Sequence, residues 1–203
     1  MGNVIITKLE RDNDFTACID EIHFDFLEGI EEEFDVLMSD EFWAKMQSPN
    51  LAYLNFEGSI NDSDEKVDIT YLAHSSINNF KDSEPITRFL HKVYEYKPRR
   101  EKYRSSNVNR SNSVLANDLK NIIQDSRSTA AWNRKVDSES KLLETFLMNL
   151  DEGILQLEGE LLLYTFYYPC LSCSNKVVKV ITELSQRFPK LNIEIWYVEE
   201  YGM

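Results

Sequence analysis

The chain of 203 residues has no stretch of 18 or more apolar residues, so no segment of it is expected to cross a membrane as a helix. Its first residues, Met1 to Glu10, lack the basic start and long apolar run of a secretory signal. Met1-Gly2 would open a myristoylation signal, but Ile6 stands where that signal needs Ser or Thr. Cysteine is scarce, and three residues cannot build a disulfide framework. Cys18 stands alone and reads as a small buried hydrophobe, leaving Cys170 and Cys173 as free thiols suited to a reducing cytoplasm. Internal repeats and low-complexity tracts are absent too. What remains is an ordinary globular composition, 42% hydrophobic and 28% charged, long enough for one good core with an added subdomain.

Charge is spread unevenly. Residues 1–70 hold 18 acidic and 4 basic side chains, a net of −14, while the other 133 hold 17 acidic and 18 basic, a net of +1. The low overall pI therefore belongs to the N-terminal third and does not bar the remainder from approaching nucleic acid. Phe15, Ile19, Ile22, Phe26, Ile30, Phe34 and Leu37 recur every three or four residues, which predicts helix over about 14–46. Glu31, Glu32 and Glu33 lie on or near its opposite face, as a solvated surface or one that meets a partner. Residues 1–48 thus read as an acidic helical segment, and 49–203 as the main domain.

That domain opens with two strands, about 50–58 and 66–73, joined by a polar turn into a hairpin that runs into His74. Residues 97–112 form a basic polar insertion in which Lys97, Arg99, Arg100, Lys102, Arg104 and Arg110 face one acid, Glu101. They suit a phosphate backbone or a plain solvated loop. A short helix is expected over 113–124. The last third reads helix (137–150), strand (161–168), helix (169–187) and strand (192–198), which predicts an α/β fold with helices covering a parallel or mixed sheet.

The most informative run is Tyr167-Tyr168-Pro169-Cys170-Leu171-Ser172-Cys173, which closes a strand and opens a helix. Proline suits a first helical turn, where its missing N–H costs nothing. Residues three apart share a helix face, so two sulfurs can reach one ion. The positive end of the helix dipole favours thiolates. Val177, Val180 and Leu184 continue the face from Cys173, directing the thiols toward the sheet. A redox pair and two core cysteines are the competing readings; a redox pair usually has Trp before and Gly-Pro between its cysteines. About thirty residues upstream, Glu139 is in phase with the stripe Leu142, Leu143, Phe146, Leu147 and Leu150, so it should point inward at a helix start. A buried carboxylate is costly without a purpose. Proton transfer beside a metal is one purpose, and a favourable first-turn acid behind an Asp137 cap is the simpler account.

The order Asp137-Ser138-Glu139-Ser140-Lys141-Leu142-Leu143-Glu144, then a strand, then Pro169-Cys170-Leu171-Ser172-Cys173, then Phe188-Pro189-Lys190-Leu191-Asn192-Ile193, resembles the deaminase domains of bacterial polymorphic toxins in the cytidine-deaminase-like superfamily. The likeness covers roughly residues 50–203. It implies a three-layer α/β/α fold, C-terminally shortened, behind the helical extension. It implies Zn²⁺ held by Cys170, Cys173 and Asp137, with Glu139 moving protons. Asp137 stands where the family's box usually carries His, and His74 is the alternative third ligand. The resemblance implies conversion of cytosine to uracil in single-stranded DNA or RNA. Phe166, Tyr167 and Tyr168, just before the cysteines, suit a wall for an extruded base or the core end of a strand, and Arg99, Arg100 and Lys102 in the basic tract suit phosphates or a solvated loop. An immunity protein is the partner expected of a toxin-like enzyme acting in a cytosol. Free nucleotides or nucleosides are the alternative substrates, and a non-catalytic protein with a structural metal is the alternative class.

Overall fold

A computed structural model of the chain describes residues 2–34, 51–74, 93–95, 104–106, 138–149, 154–168 and 171–200. The expected helix at 113–124, residues 35–46 of the first predicted helix and most of the basic tract lie outside these. The described elements are β1 (Val4–Lys8), α1 (Asp14–Phe34), β2 (Leu51–Ile60), β3 (Lys66–His74), β4 (Val93–Glu95), β5 (Arg104–Ser106), α2 (Ser138–Asn149), β6 (Leu157–Tyr167), α3 (Leu171–Arg187) and β7 (Lys190–Glu199).

The strands form one mixed sheet in the order β1-β7-β6-β2-β3-β4-β5. Strands β1, β7 and β6 run parallel, and every pairing from β6 through β2, β3 and β4 to β5 is antiparallel. The predicted hairpin is present as β2–β3, its turn carried by Asn61 and Asp62 at φ 55° each. Such left-handed backbone is tolerated best by Asn and Asp after glycine. The unit β6–α3–β7 is the strand–helix–parallel-strand crossover read from the sequence.

Two features depart from the sequence reading. Residues 1–48 carry a strand, β1, ahead of the helix, and it pairs along β7 from Val4 opposite Ile193 to Lys8 opposite Tyr197. Its run Val-Ile-Ile-Thr-Lys is too short to display either structural period, so periodicity passes over it. The outer edge of β7 is thereby covered by β1. Within the basic tract, Arg104–Ser106 form β5 against β4, so part of the predicted insertion belongs to the sheet.

Strand alternation sorts the side chains into two faces. Leu54, Phe56, Tyr71, Ala73, Leu161, Leu163, Ile193 and Ile195 pack against Leu142, Leu143, Phe146 and Leu147 of α2 and Val177, Val180, Ile181 and Leu184 of α3. Full burial of each such side chain contributes roughly 1.5–3 kcal/mol. On the other face Tyr53, Tyr164 and Trp196 stand side by side on neighbouring strands, and Phe15 of α1 meets all three rings edge-on at centroid distances of 6.1, 5.4 and 4.7 Å. Ile19 and Ile22 of α1 are buried as well. Helices thus cover both faces of the sheet. Cys18, expected to be buried, is exposed: one residue from Ile19, it falls on the outer side of α1.

Candidate active site

The C-terminal ends of the parallel strands lie along one edge of the sheet. Strand β2 starts at that edge and β3 ends there, because Leu51 pairs with His74 and Ala52 with Thr165. Helix α3 also begins there, four residues beyond the last pairing of β6 at Tyr167. Helix α2 begins at the same edge: Nζ of Lys141, in its first turn, donates to the carbonyl of His74 at 2.7 Å. Two helix N-termini therefore converge on one side of the sheet, each presenting a positive dipole end that favours an anion. Open α/β sheets place ligands at such carboxyl-terminal strand ends.

Glu139 stands in the first turn of α2, half-buried, and the hydroxyl of Ser138 donates to its Oε2 at 3.3 Å. Ser138 is itself 4% exposed. Expected to be buried, Glu139 is half-buried. Cys173 lies in the first turn of α3, the helix that packs beside α2 against the same strands. Its side chain, together with Asp137, Cys170, Arg99, Arg100 and Lys102, lies outside the described residues. Among the described residues no three His, Cys, Asp or Glu side chains gather into a metal site.

His74 is fully buried, but its imidazole follows Leu72 in the strand alternation and turns toward α1, where the ring of His23 lies 5.5 Å away. This imidazole thus lies on the α1 face of the sheet, whereas Glu139 belongs to a helix that packs on the other face. Tyr167 and Tyr168 are both half-buried at the end of β6. The Tyr167 ring meets Phe166 at 5.0 Å, and Tyr168 meets Tyr197 at 4.8 Å while its N–H donates to the Glu199 carbonyl at 2.6 Å. The Thr165 hydroxyl donates to the Tyr167 carbonyl. These contacts hold a fixed aromatic strip beside the start of α3.

Sequence reasoning missed Lys141. It is 3% exposed, between Ser138 and Thr145 on a buried polar stripe of α2 that flanks the apolar one. A lysine before two leucines looks like any helix-surface lysine, so only the carbonyl it reaches, 67 residues earlier in the chain, marks it out.

Residues 44–199 match the toxin-deaminase family, described as the BURPS668_1122 family of deaminases. The chain belongs to that family. The match covers β2 through β7 and excludes β1 and α1. No curated protein and no solved structure matches the chain. Among the described residues no helix is long and apolar enough to cross a membrane. Family membership makes the protein a deaminase, and Glu139 and Cys173 stand in the first turns of the two helices that begin at this edge.

Proposed function

We propose that this deaminase hydrolyses cytosine to uracil in nucleic acid at the edge where α2 and α3 begin. The observation that supports this most is the half-buried carboxylate of Glu139, steadied by Ser138, on the same side of the same sheet end as the first turn of α3, which carries Cys173. The donor set of two thiols and one carboxylate, Cys170, Cys173 and Asp137, fits Zn²⁺ chemically. Bound there, the ion would supply Lewis-acid activation of water. Asp137 is the preferred third ligand, because the His74 imidazole turns to the opposite face of the sheet.

Glu139 takes a proton from the attacking water and returns it toward the base as the amino group leaves. Water adds at C4, the C4–N4 bond breaks, and ammonia departs, so atoms and protons balance. Tyr167 and Tyr168 wall the base, since stacking on an aromatic ring suits any flipped pyrimidine. Arg99, Arg100 and Lys102 engage the backbone phosphates. In this reading the enzyme is toxin-like, works in a cytosol and is restrained by an immunity protein.

The test compares substrates on one zinc-quantified preparation: a cytosine-containing single DNA strand, the matching RNA strand, and free cytidine and CMP. Uracil formed in a polymer well ahead of the free nucleosides supports the proposal. Turnover of free cytidine or CMP alone would transfer the activity to nucleotide metabolism. Zinc with no turnover of any cytosine compound would point to a structural metal.

A further inference from the structure

Lys141 is a nearly dry ammonium, and a buried charge is costly unless something holds it. A methionine would fill similar space at lower desolvation cost, so the lysine calls for a reason. Its Nζ spans from the first turn of α2 to the last residue of β3, where it bonds the His74 carbonyl at 2.7 Å. That carbonyl belongs to a residue that is 0% exposed and whose ring rests against His23 of α1. The first turn of α2 is therefore moored to a point of the sheet that is itself packed from the far side. Glu139 lies two residues before Lys141 in that turn, and its direction is set by the turn's position.

We propose that Lys141 is a positioning residue: it fixes the first turn of α2 to the end of β3 and so holds the Glu139 carboxylate where proton transfer needs it. This rests on the deaminase reading above for its catalytic consequence, although not for the mooring itself. Misplacing a reacting group by about 1 Å costs on the order of 10²-fold in rate. A mooring lost here should therefore appear in kcat and leave substrate binding alone.

The experiment compares wild type, Lys141→Met and Lys141→Arg by kcat and KM on the best cytosine substrate, and by amide hydrogen exchange along α2. For Lys141→Met the expected result is a kcat at least ~10-fold lower with KM within about 2-fold of wild type. Exchange should quicken in the Ser138–Leu142 turn and stay unchanged over Phe146–Asn149. Lys141→Arg keeps the donor and the charge and should recover most of the kcat. If Lys141→Met does not fold, Lys141→Gln takes its place with the same expected direction. Wild-type kcat and exchange in the neutral variant would overturn the proposal. So would even loosening of the whole helix, with kcat and KM failing together, which would make Lys141 a general brace. Should the wild type deaminate no cytosine compound, the functional reading fails on its own. The exchange pattern would still decide the mooring.

Discussion

The two faces of this sheet do different work. On one, α2 and α3 bury an apolar cluster and bring both of their N-termini to a single edge, where Glu139 and the first turn of α3 lie. On the other, α1 rests a phenylalanine on a row of aromatic rings and offers no such constellation among the described residues. The helices and core of the first face lie wholly within the family match, and the second is covered by α1, outside it. Under the proposed function the α2–α3 face needs fixed helix starts, and the α1 face needs only area. The contrast explains why residues outside the match can still be built into the sheet.

The sharpest way to break this contrast is Glu139→Ala. If chemistry sits only on the α2–α3 face, deamination should fall by about 10²–10⁴-fold while the fold is kept, the range expected for loss of an acid/base group. Circular dichroism beside the rate assay separates the two effects.

Next in size is a disturbance of the sheet between the faces. Gly58 and Gly159 lie opposite each other on β2 and β6, and Gly159 has φ +140°. A Cβ at Gly159 would come 2.2 Å from the Glu57 carbonyl oxygen. Gly159→Ala therefore combines a backbone clash with a strained φ and should cost about 3 kcal/mol by urea denaturation. A loss below about 0.5 kcal/mol, the size of an ordinary surface change, would mean that the two strands part easily.

A smaller effect belongs to the α1 face. Phe15→Ala removes a half-buried ring with three edge-on partners, and a loss of about 2 kcal/mol is expected, less than for a fully buried phenylalanine. Activity of the folded fraction should stay at the wild-type level. A large fall in kcat at unchanged folding would erase the distinction between the faces.

The smallest effect concerns pH. Burial, with Asp20 nearby, pushes the Tyr164 phenol above its ordinary value of 10.0. The folded state then holds this proton more tightly than the unfolded chain. The stability contributed is complete below pH 10 and is lost as pH rises past it. Tyr164→Phe should flatten that part of the alkaline stability curve and change little at neutral pH, as thermal melts between pH 7 and 11 would record.

Much of this architecture was legible in the sequence because its elements obey a clear period. The stripe Leu142, Leu143, Phe146, Leu147 and the face Val177, Val180, Leu184 are both buried as their spacing requires. Glu139 shares that phase and lies half-buried beside them. Other parts were hidden for physical reasons. β1 is too short to express a period, and its place beside β7 depends on a parallel pairing across almost the whole chain. The direction of the His74 ring depends on strand parity at the last residue of β3, which a boundary shifted by one would reverse. The burial of Lys141 and its bond to the His74 carbonyl, 67 residues earlier, have no local sequence signature.

The central claim is that the α2–α3 edge is a metal-assisted deaminase centre worked by Glu139. Its most direct test measures zinc per chain and uracil formed from a cytosine-containing single strand, for wild type and Glu139→Gln prepared side by side. The account predicts one zinc per chain in both proteins, with uracil produced by the wild type alone. Equal uracil formation by both proteins, or turnover by a carefully reduced wild type that binds no zinc, would contradict it.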